Sequence, residues 1–272
     1  MAELLNYTES AGEADGPLAG TTAILMHGMF GSLSNLASLG RALLAQGCNV
    51  VAVDMPNHGE SPHHSEMSYA SMAADIVALA DHLALAKPFL VGHSMGGKTA
   101  MQAALSYPQR FAGIAVLDIS PVAYEPRHDP VIAGLTELSE ALERGAVNSR
   151  TEASALLQPF VADTMTRAFL LKNLYRSSAG EWRLKLNLNA LAANYYTELA
   201  AAVAGQPYLG PVLLLKGESS AYIQSKHRPL IDQLLPNAQL QVVAAAGHWL
   251  HAEQPAVVEA AVVEFITRQC GV

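Results

Sequence analysis

Cysteine is scarce in this chain, with two among 272 residues. Cys48 and Cys270 form no Cys-x-x-Cys pair, and two isolated thiols do not make a disulfide framework, so reduced cysteines and a cytoplasmic location are expected. Long apolar runs are missing as well. Nowhere do about 18 apolar residues follow one another, which excludes a membrane-spanning helix by the length a bilayer requires. The opening residues, Met1 to Ser10, have neither a basic stretch nor an apolar core, so no signal peptide is expected there. Positive charge is also short: 16 Lys and Arg face 24 Asp and Glu, for a net charge of −8. The basic residues stand singly, and neither a nucleic acid nor an anionic membrane surface is an expected partner. What the chain does have is apolar mass. Hydrophobic residues make up 51% and charged residues 15%, the balance of a compact enzyme with many buried strands, long enough for one domain with an insertion.

Short, continuous apolar runs recur at residues 23–26, 50–53, 89–91, 114–117, 212–215 and 240–243. Turn residues bound each one and none alternates, the pattern of strands buried on both faces of a parallel sheet. Helical spacing fills the gaps. Met72, Ile76, Leu79 and Leu83 line one helix face, and Val258, Val262 and Phe265 line another behind Pro255, which suits a first helical turn. A further helix is expected over 36–45, stopped by Gly47. Residues 11–20 are small, acidic and glycine-rich and read as a surface loop. The alternation predicts an α/β fold, a mostly parallel sheet with crossover helices on both faces. It breaks between Ile119 and Gly210, a stretch too long for an ordinary loop. There Leu135, Leu138 and Leu142, then Leu156, Leu157, Phe160 and Val161, then Met165, Phe169 and Leu170 suggest helices and no strand. The expected organisation is a core of residues 1–120 and 206–272, with a helical cap, 121–205, inserted after the strand ending at Asp118.

Within that frame, residues 92–96 read Gly-His-Ser-Met-Gly, between an apolar strand and a helix. A strand–turn–helix of this kind is a nucleophile elbow, which strains its central residue and exposes a hydroxyl above the sheet. Ser94 is the candidate nucleophile. Its hydroxyl needs a base, and the base needs an orienting acid. His248 follows the last strand and lies at the same carboxyl edge of the sheet, so it is the candidate base. Two acids compete: Asp118, which ends the strand after the nucleophile strand, and Glu218, just beyond Gly217. The usual acid position on that second loop falls about three residues past the glycine, where this chain has Ser220. An oxyanion hole needs two backbone N–H donors. Met95, after the nucleophile, supplies one; the turn His27-Gly28-Met29-Phe30 supplies the other from Met29, with Phe30 as fallback.

These residues carry a resemblance to the α/β-hydrolase superfamily: His27-Gly28, the run Asp-Met-Pro-Asn-His-Gly-Glu-Ser from Asp54 to Ser61, Gly92 to Gly97, and Gly247-His248-Trp249. With His-Gly-Met-Phe-Gly-Ser at 27–32 and Gly-Glu-Trp-Arg at 180–183, the chain is similar to the YbfF-type group of small bacterial acyl esterases, which is related to a mitochondrial abhydrolase. The resemblance implies the α/β-hydrolase fold and hydrolysis of small-molecule carboxylic esters or acyl thioesters, without metal or organic cofactor. That group too lacks an acid after the second-last strand, which favours Asp118. Asn57 stands where the wider superfamily more often has glycine. A dehalogenase or epoxide hydrolase of this fold would be expected to carry Asp in place of Ser94. Two rivals keep these residues: a carbon–carbon bond hydrolase, and a ligand-binding homologue that retains the fold alone.

Other polar residues have plainer readings. His27 and His58 sit in turns and are expected to hold loops by hydrogen bonds. The tandem His63-His64 and the pair His248 and His251 lack the further ligands that a metal site needs. Lys98, one helical turn past Ser94, is expected to be buried and paired with a carboxylate. Phe30, Tyr124 and Trp182, with Met29 and Met95, are candidates to line a substrate pocket, and Trp182 is equally expected to pack within the cap.

Overall fold

A computed structural model describes residues 3–271. In chain order the first elements are β1 (Tyr7–Ser10), β2 (Thr22–Met26), α1 (Ala37–Leu44), β3 (Asn49–Val53), α2 (Tyr69–His82), β4 (Phe89–His93), α3 (Met95–Ser106) and β5 (Gly113–Leu117). Between β5 and β8 lie α4 (Asp129–Glu143), α5 (Arg150–Leu157), α6 (Thr164–Leu170), β6 (Leu174–Arg176), β7 (Trp182–Leu184) and α7 (Leu188–Asn194). The chain ends with β8 (Val212–Gly217), α8 (Arg228–Leu234), β9 (Ala238–Val243), α9 (Leu250–Glu253) and α10 (Pro255–Cys270).

The main sheet runs in the order β1-β3-β2-β4-β5-β8-β9. All its pairings are parallel except β1 with β3. The central strands β4 and β5 are buried along their whole length, which is why their sequences are apolar without alternation. Ser68 caps α2 by accepting the Ser71 N–H at 3.1 Å, and the helix then buries Met72, Ile76 and Leu79. Each such side chain contributes about 1.5–3 kcal/mol of hydrophobic stabilisation relative to exposure. Pro255 opens α10, and Gly271 closes it in a left-handed conformation, φ 75°, a geometry that costs glycine nothing. A third helix, α3, has every residue from Met95 to Leu105 buried.

Three departures from expectation have physical reasons. The last strand, β9, is the sheet edge and not doubly buried: Leu240 and Val242 are exposed. β1 was not legible because Tyr-Thr-Glu-Ser is a polar edge with one partner. The expected strandless insertion contains a hairpin, β6 with β7, whose three-residue strands are too short for any period to show. Its turn closes on Gly180 at φ 82°, with the Ser177 N–H bonded to the Glu181 carbonyl at 2.8 Å.

Candidate active site

Ser94 ends the run of β4 and starts α3, at φ 51° and ψ −115°. Such a left-handed backbone costs a non-glycine residue about 1–3 kcal/mol and persists only where its surroundings fix it. Here the Ser94 N–H extends the sheet to the Leu117 carbonyl, 3.0 Å, while its own carbonyl receives the Lys98 N–H. A Cβ on Gly96 would lie 2.4 Å from the Met26 carbonyl oxygen, so only glycine lets α3 start this close to β2.

The structure brings Ser94, His248 and Asp118 together. Ser94 Oγ stands 3.1 Å from His248 Nε2, and His248 Nδ1 stands 2.8 Å from Asp118 Oδ2. Asp118 is fully buried and accepts the Gly217 N–H at 2.9 Å on its other oxygen. It also accepts the hydroxyl of Ser220. The serine that occupies the usual acid position therefore donates to the acid supplied by the earlier strand. Glu218 is not brought to His248. Its carboxylate is exposed and accepts the Ala245 N–H at 2.9 Å.

At the turn after β2, the Met29 N–H and, at the start of α3, the Met95 N–H have no hydrogen-bond partner among the described residues. The Phe30 N–H, the fallback donor, is taken: it bonds His58 Nε2 at 3.0 Å. A Cβ on Gly28 would sit 3.2 Å from Ser94 Cβ, so this turn packs directly on the nucleophile.

A cavity of about 680 Å³ opens over Ser94 and His248. Met29, Phe30, Met95 and Tyr124 line it, and so do Phe169, Tyr195, Tyr222 and Trp249. Trp182 does not line it. Its indole N–H donates to the Asn148 carbonyl at 2.8 Å, and the guanidinium groups of Arg150 and Arg176 flank its ring. Lys98 also departs from expectation. It is buried but has no carboxylate partner among the described residues; its ammonium donates to the Ala201 carbonyl and lies 4.8 Å and 5.2 Å from the ring centres of Tyr124 and Tyr69. Burial brings its pKa down to about 7.

Two neighbours of the imidazole were not found from sequence. Tyr222 stacks on His248, centroids 4.0 Å apart at 26°, and its carbonyl is held by the hydroxyls of Ser120 and Tyr124. His93, read as structural, sends Nε2–H to the His248 carbonyl at 2.8 Å. Nothing in local spacing marks either contact; the one available signal for Tyr222 was its place two residues past Ser220.

Burial keeps several histidines neutral. Desolvation pushes His27 down to about 4 and His58 to about 3, the latter helped by repulsion from His27, and it holds His93 well below the ordinary range. All three are buried. Their folded pKa values lie below the unfolded value of about 6.5, so the unfolded chain binds more protons once the pH falls beneath that point. The stability they confer is complete above about pH 6.5 and is lost on acidification, at up to about 1.4 kcal/mol per pH unit for each. Against a typical total of about 5–15 kcal/mol, we expect urea midpoints that are level from pH 8 to 7 and fall steeply from 6.5 to 4.5. Midpoints that stay level down to pH 5 would contradict this.

A parallel sheet with an elbow serine, an imidazole and a buried carboxylate at its carboxyl edge defines the α/β-hydrolase class. The family model described as the alpha/beta hydrolase fold matches residues 23–255, and the chain belongs to that family. Within it, the chain is similar to the sn-1-specific diacylglycerol lipase ABHD11 of Mus musculus, 38% identical over 96% of this chain and 85% of that protein. It is 33% identical to esterase YbfF of Escherichia coli, over 89% and 92% of the two chains, in keeping with the YbfF-type resemblance. Among solved structures, a marine microorganism esterase superposes with a TM-score of 0.88 at 35% identity, over 97% of this chain and all of the other.

Proposed function

We propose that this chain is a serine hydrolase of carboxylic esters or acyl thioesters, working through an acyl-enzyme. One observation carries the reading: the continuous path Ser94 Oγ to His248 Nε2, 3.1 Å, and His248 Nδ1 to Asp118, 2.8 Å, at the floor of a largely apolar cavity. Ester-named relatives, a lipase and an esterase, support it. In this scheme His248 takes the Ser94 proton as Oγ attacks the carbonyl carbon. Asp118 holds the imidazole in the tautomer that leaves Nε2 free to accept. The Met29 and Met95 N–H groups receive the oxyanion, and the proton on His248 goes to the departing alcohol or thiol. A water deprotonated by the same nitrogen then cleaves the acyl-serine bond and releases the acid. Residues 121–205 serve as the cap over the acyl chain, placing Tyr124, Phe169 and Tyr195 on the cavity wall.

A fluorophosphonate probe tests the proposal. We expect a single covalent adduct on Ser94, and hydrolysis of a nitrophenyl ester series or of the matching acyl thioesters. No adduct would favour a ligand-binding homologue. An adduct with neither ester nor thioester turnover would favour carbon–carbon bond hydrolysis.

A further inference from the structure

The two turns that carry His27 and His58 exchange crossed hydrogen bonds. His27, at the oxyanion turn, reaches across to accept the Met55 N–H on Nε2 at 2.9 Å. His58, on the opposite loop, reaches back to accept the Phe30 N–H on Nε2 at 3.0 Å. Each ring then has only one possible state. Because Nε2 accepts, the proton sits on Nδ1, and there His27 donates to the Gly28 carbonyl at 2.7 Å while His58 donates to the Pro56 carbonyl at 2.8 Å. The rings pack edge to face, 5.1 Å apart.

The Gly28 carbonyl belongs to the same planar peptide as the Met29 N–H. In a trans peptide the two point in opposite directions, so whatever holds the carbonyl aims the N–H. Two donors hold it, His27 Nδ1–H and the Gly31 N–H at 3.0 Å. Next along the chain, Phe30 adopts φ 63°, a strained conformation, and is pinned at both ends. His58 holds its N–H, and Asn173 Nδ2 donates to its carbonyl at 2.8 Å. With the Gly28 backbone packed on Ser94, the peptide between these clamps is the one facing the nucleophile.

We propose that His27 is a positioning residue for the oxyanion hole: its Nδ1–H bond to the Gly28 carbonyl keeps the Gly28–Met29 peptide from flipping and so keeps the Met29 N–H directed at the reacting oxygen. The inference rests on the serine chemistry proposed above. His58 has the complementary task of occupying the Phe30 N–H and holding the strained turn.

Two amide substitutions separate the two bonds of His27. Asn places its amide near Nδ1 and can still donate to the Gly28 carbonyl; Gln places its amide near Nε2 and can still accept from Met55. Loss of one oxyanion donor costs on the order of 100–1,000-fold in kcat, and a freed but still present peptide should cost less. We expect His27→Gln to lose about 10–100-fold in kcat with little change in KM, and to lose affinity for an alkylboronic acid in parallel, since the boronate forms the tetrahedral anion on Ser94. His27→Asn should stay within about fivefold on both. Gly31→Ala gives an independent check, because its Cβ would lie 2.8 Å from both the Gly28 oxygen and His27 Nδ1 and wedge that bond apart; it should follow His27→Gln. Nitrogen-15 NMR of the unsubstituted protein should find His27 as the neutral Nδ1–H tautomer, whatever the variants' folding. An Nε2–H tautomer, equal losses in the Gln and Asn variants, or losses confined to KM would each overturn the proposal. If the unsubstituted protein hydrolyses no ester or thioester and takes no fluorophosphonate, it is the serine reading that fails, a result distinguishable from any of these.

Discussion

Ser94→Ala is expected to lower ester hydrolysis by about ten-thousandfold to a millionfold and to abolish fluorophosphonate labelling, with the thermal unfolding curve unmoved or shifted upward. The size follows from how a nucleophile acts. Without Oγ there is no acyl-enzyme, and what remains is the contribution of the oxyanion donors and binding to direct attack by water. The unchanged fold follows from geometry. Alanine keeps the Cβ, removes one hydroxyl whose partner is His248 Nε2 at 3.1 Å, and leaves the φ of 51° as strained as before. Ser94→Gly isolates that strain. It should be as inactive as the alanine variant but about 1 kcal/mol more stable, because glycine adopts this backbone without a Cβ clash. Turnover above about a hundredth of the starting rate in a well-folded Ser94→Ala would remove Ser94 from the mechanism. A glycine variant less stable than the alanine variant would overturn the strain argument and leave the role of Ser94 untouched.

The elbow was legible because its requirements are local: a buried strand, two glycines at fixed offsets and a helix. The same holds for β2 to β5 and β8, whose apolar runs report burial on both faces. β9 misled for the same reason. Leu240 and Val242 have the composition of a buried strand, and only the order of strands in the sheet reveals that they lie on its edge. Side-chain partners from distant elements were the least readable. Lys98 sits in an expected position on α3, yet what it meets comes from three distant places: the Ala201 carbonyl on the segment returning from the insertion, the Tyr69 ring at the start of α2 and the Tyr124 ring after β5. Residue type left Trp182 equally a pocket residue or one packed within the insertion; two arginines and a carbonyl of the insertion engage it. Tyr222 reaches His248 through a loop whose path no periodicity encodes.

The acid offers the sharper contrast, because the sequence left two carboxylates open and the structure gives them different partners. Asp118→Asn should reduce kcat by about ten-thousandfold, the scale seen when the acid of a Ser-His-Asp set becomes an amide, while KM and labelling-independent binding change little. Asparagine has one acceptor oxygen where aspartate has two. The Gly217 N–H, fixed in the sheet at 2.9 Å, would claim that oxygen, turning the amide NH₂ towards His248 and Ser220. Facing a donor, Nδ1 would give up its proton and Nε2 would carry it, leaving nothing to accept the proton of Ser94. The loss thus comes from a wrong tautomer in an intact site, and unfolding should register a change of only about 1–3 kcal/mol, the scale of a perturbed buried hydrogen bond. Glu218→Gln is the matched control. Its carboxylate touches the Ala245 N–H at the surface, an amide oxygen replaces it there, and activity should stay within about twofold. Were Asp118→Asn to keep a tenth of the activity while Glu218→Gln lost most of it, the acid would have to be reassigned, along with the purpose of Ser220. That serine fills the vacated acid position with a hydroxyl that donates to the same Asp118 oxygen that faces His248.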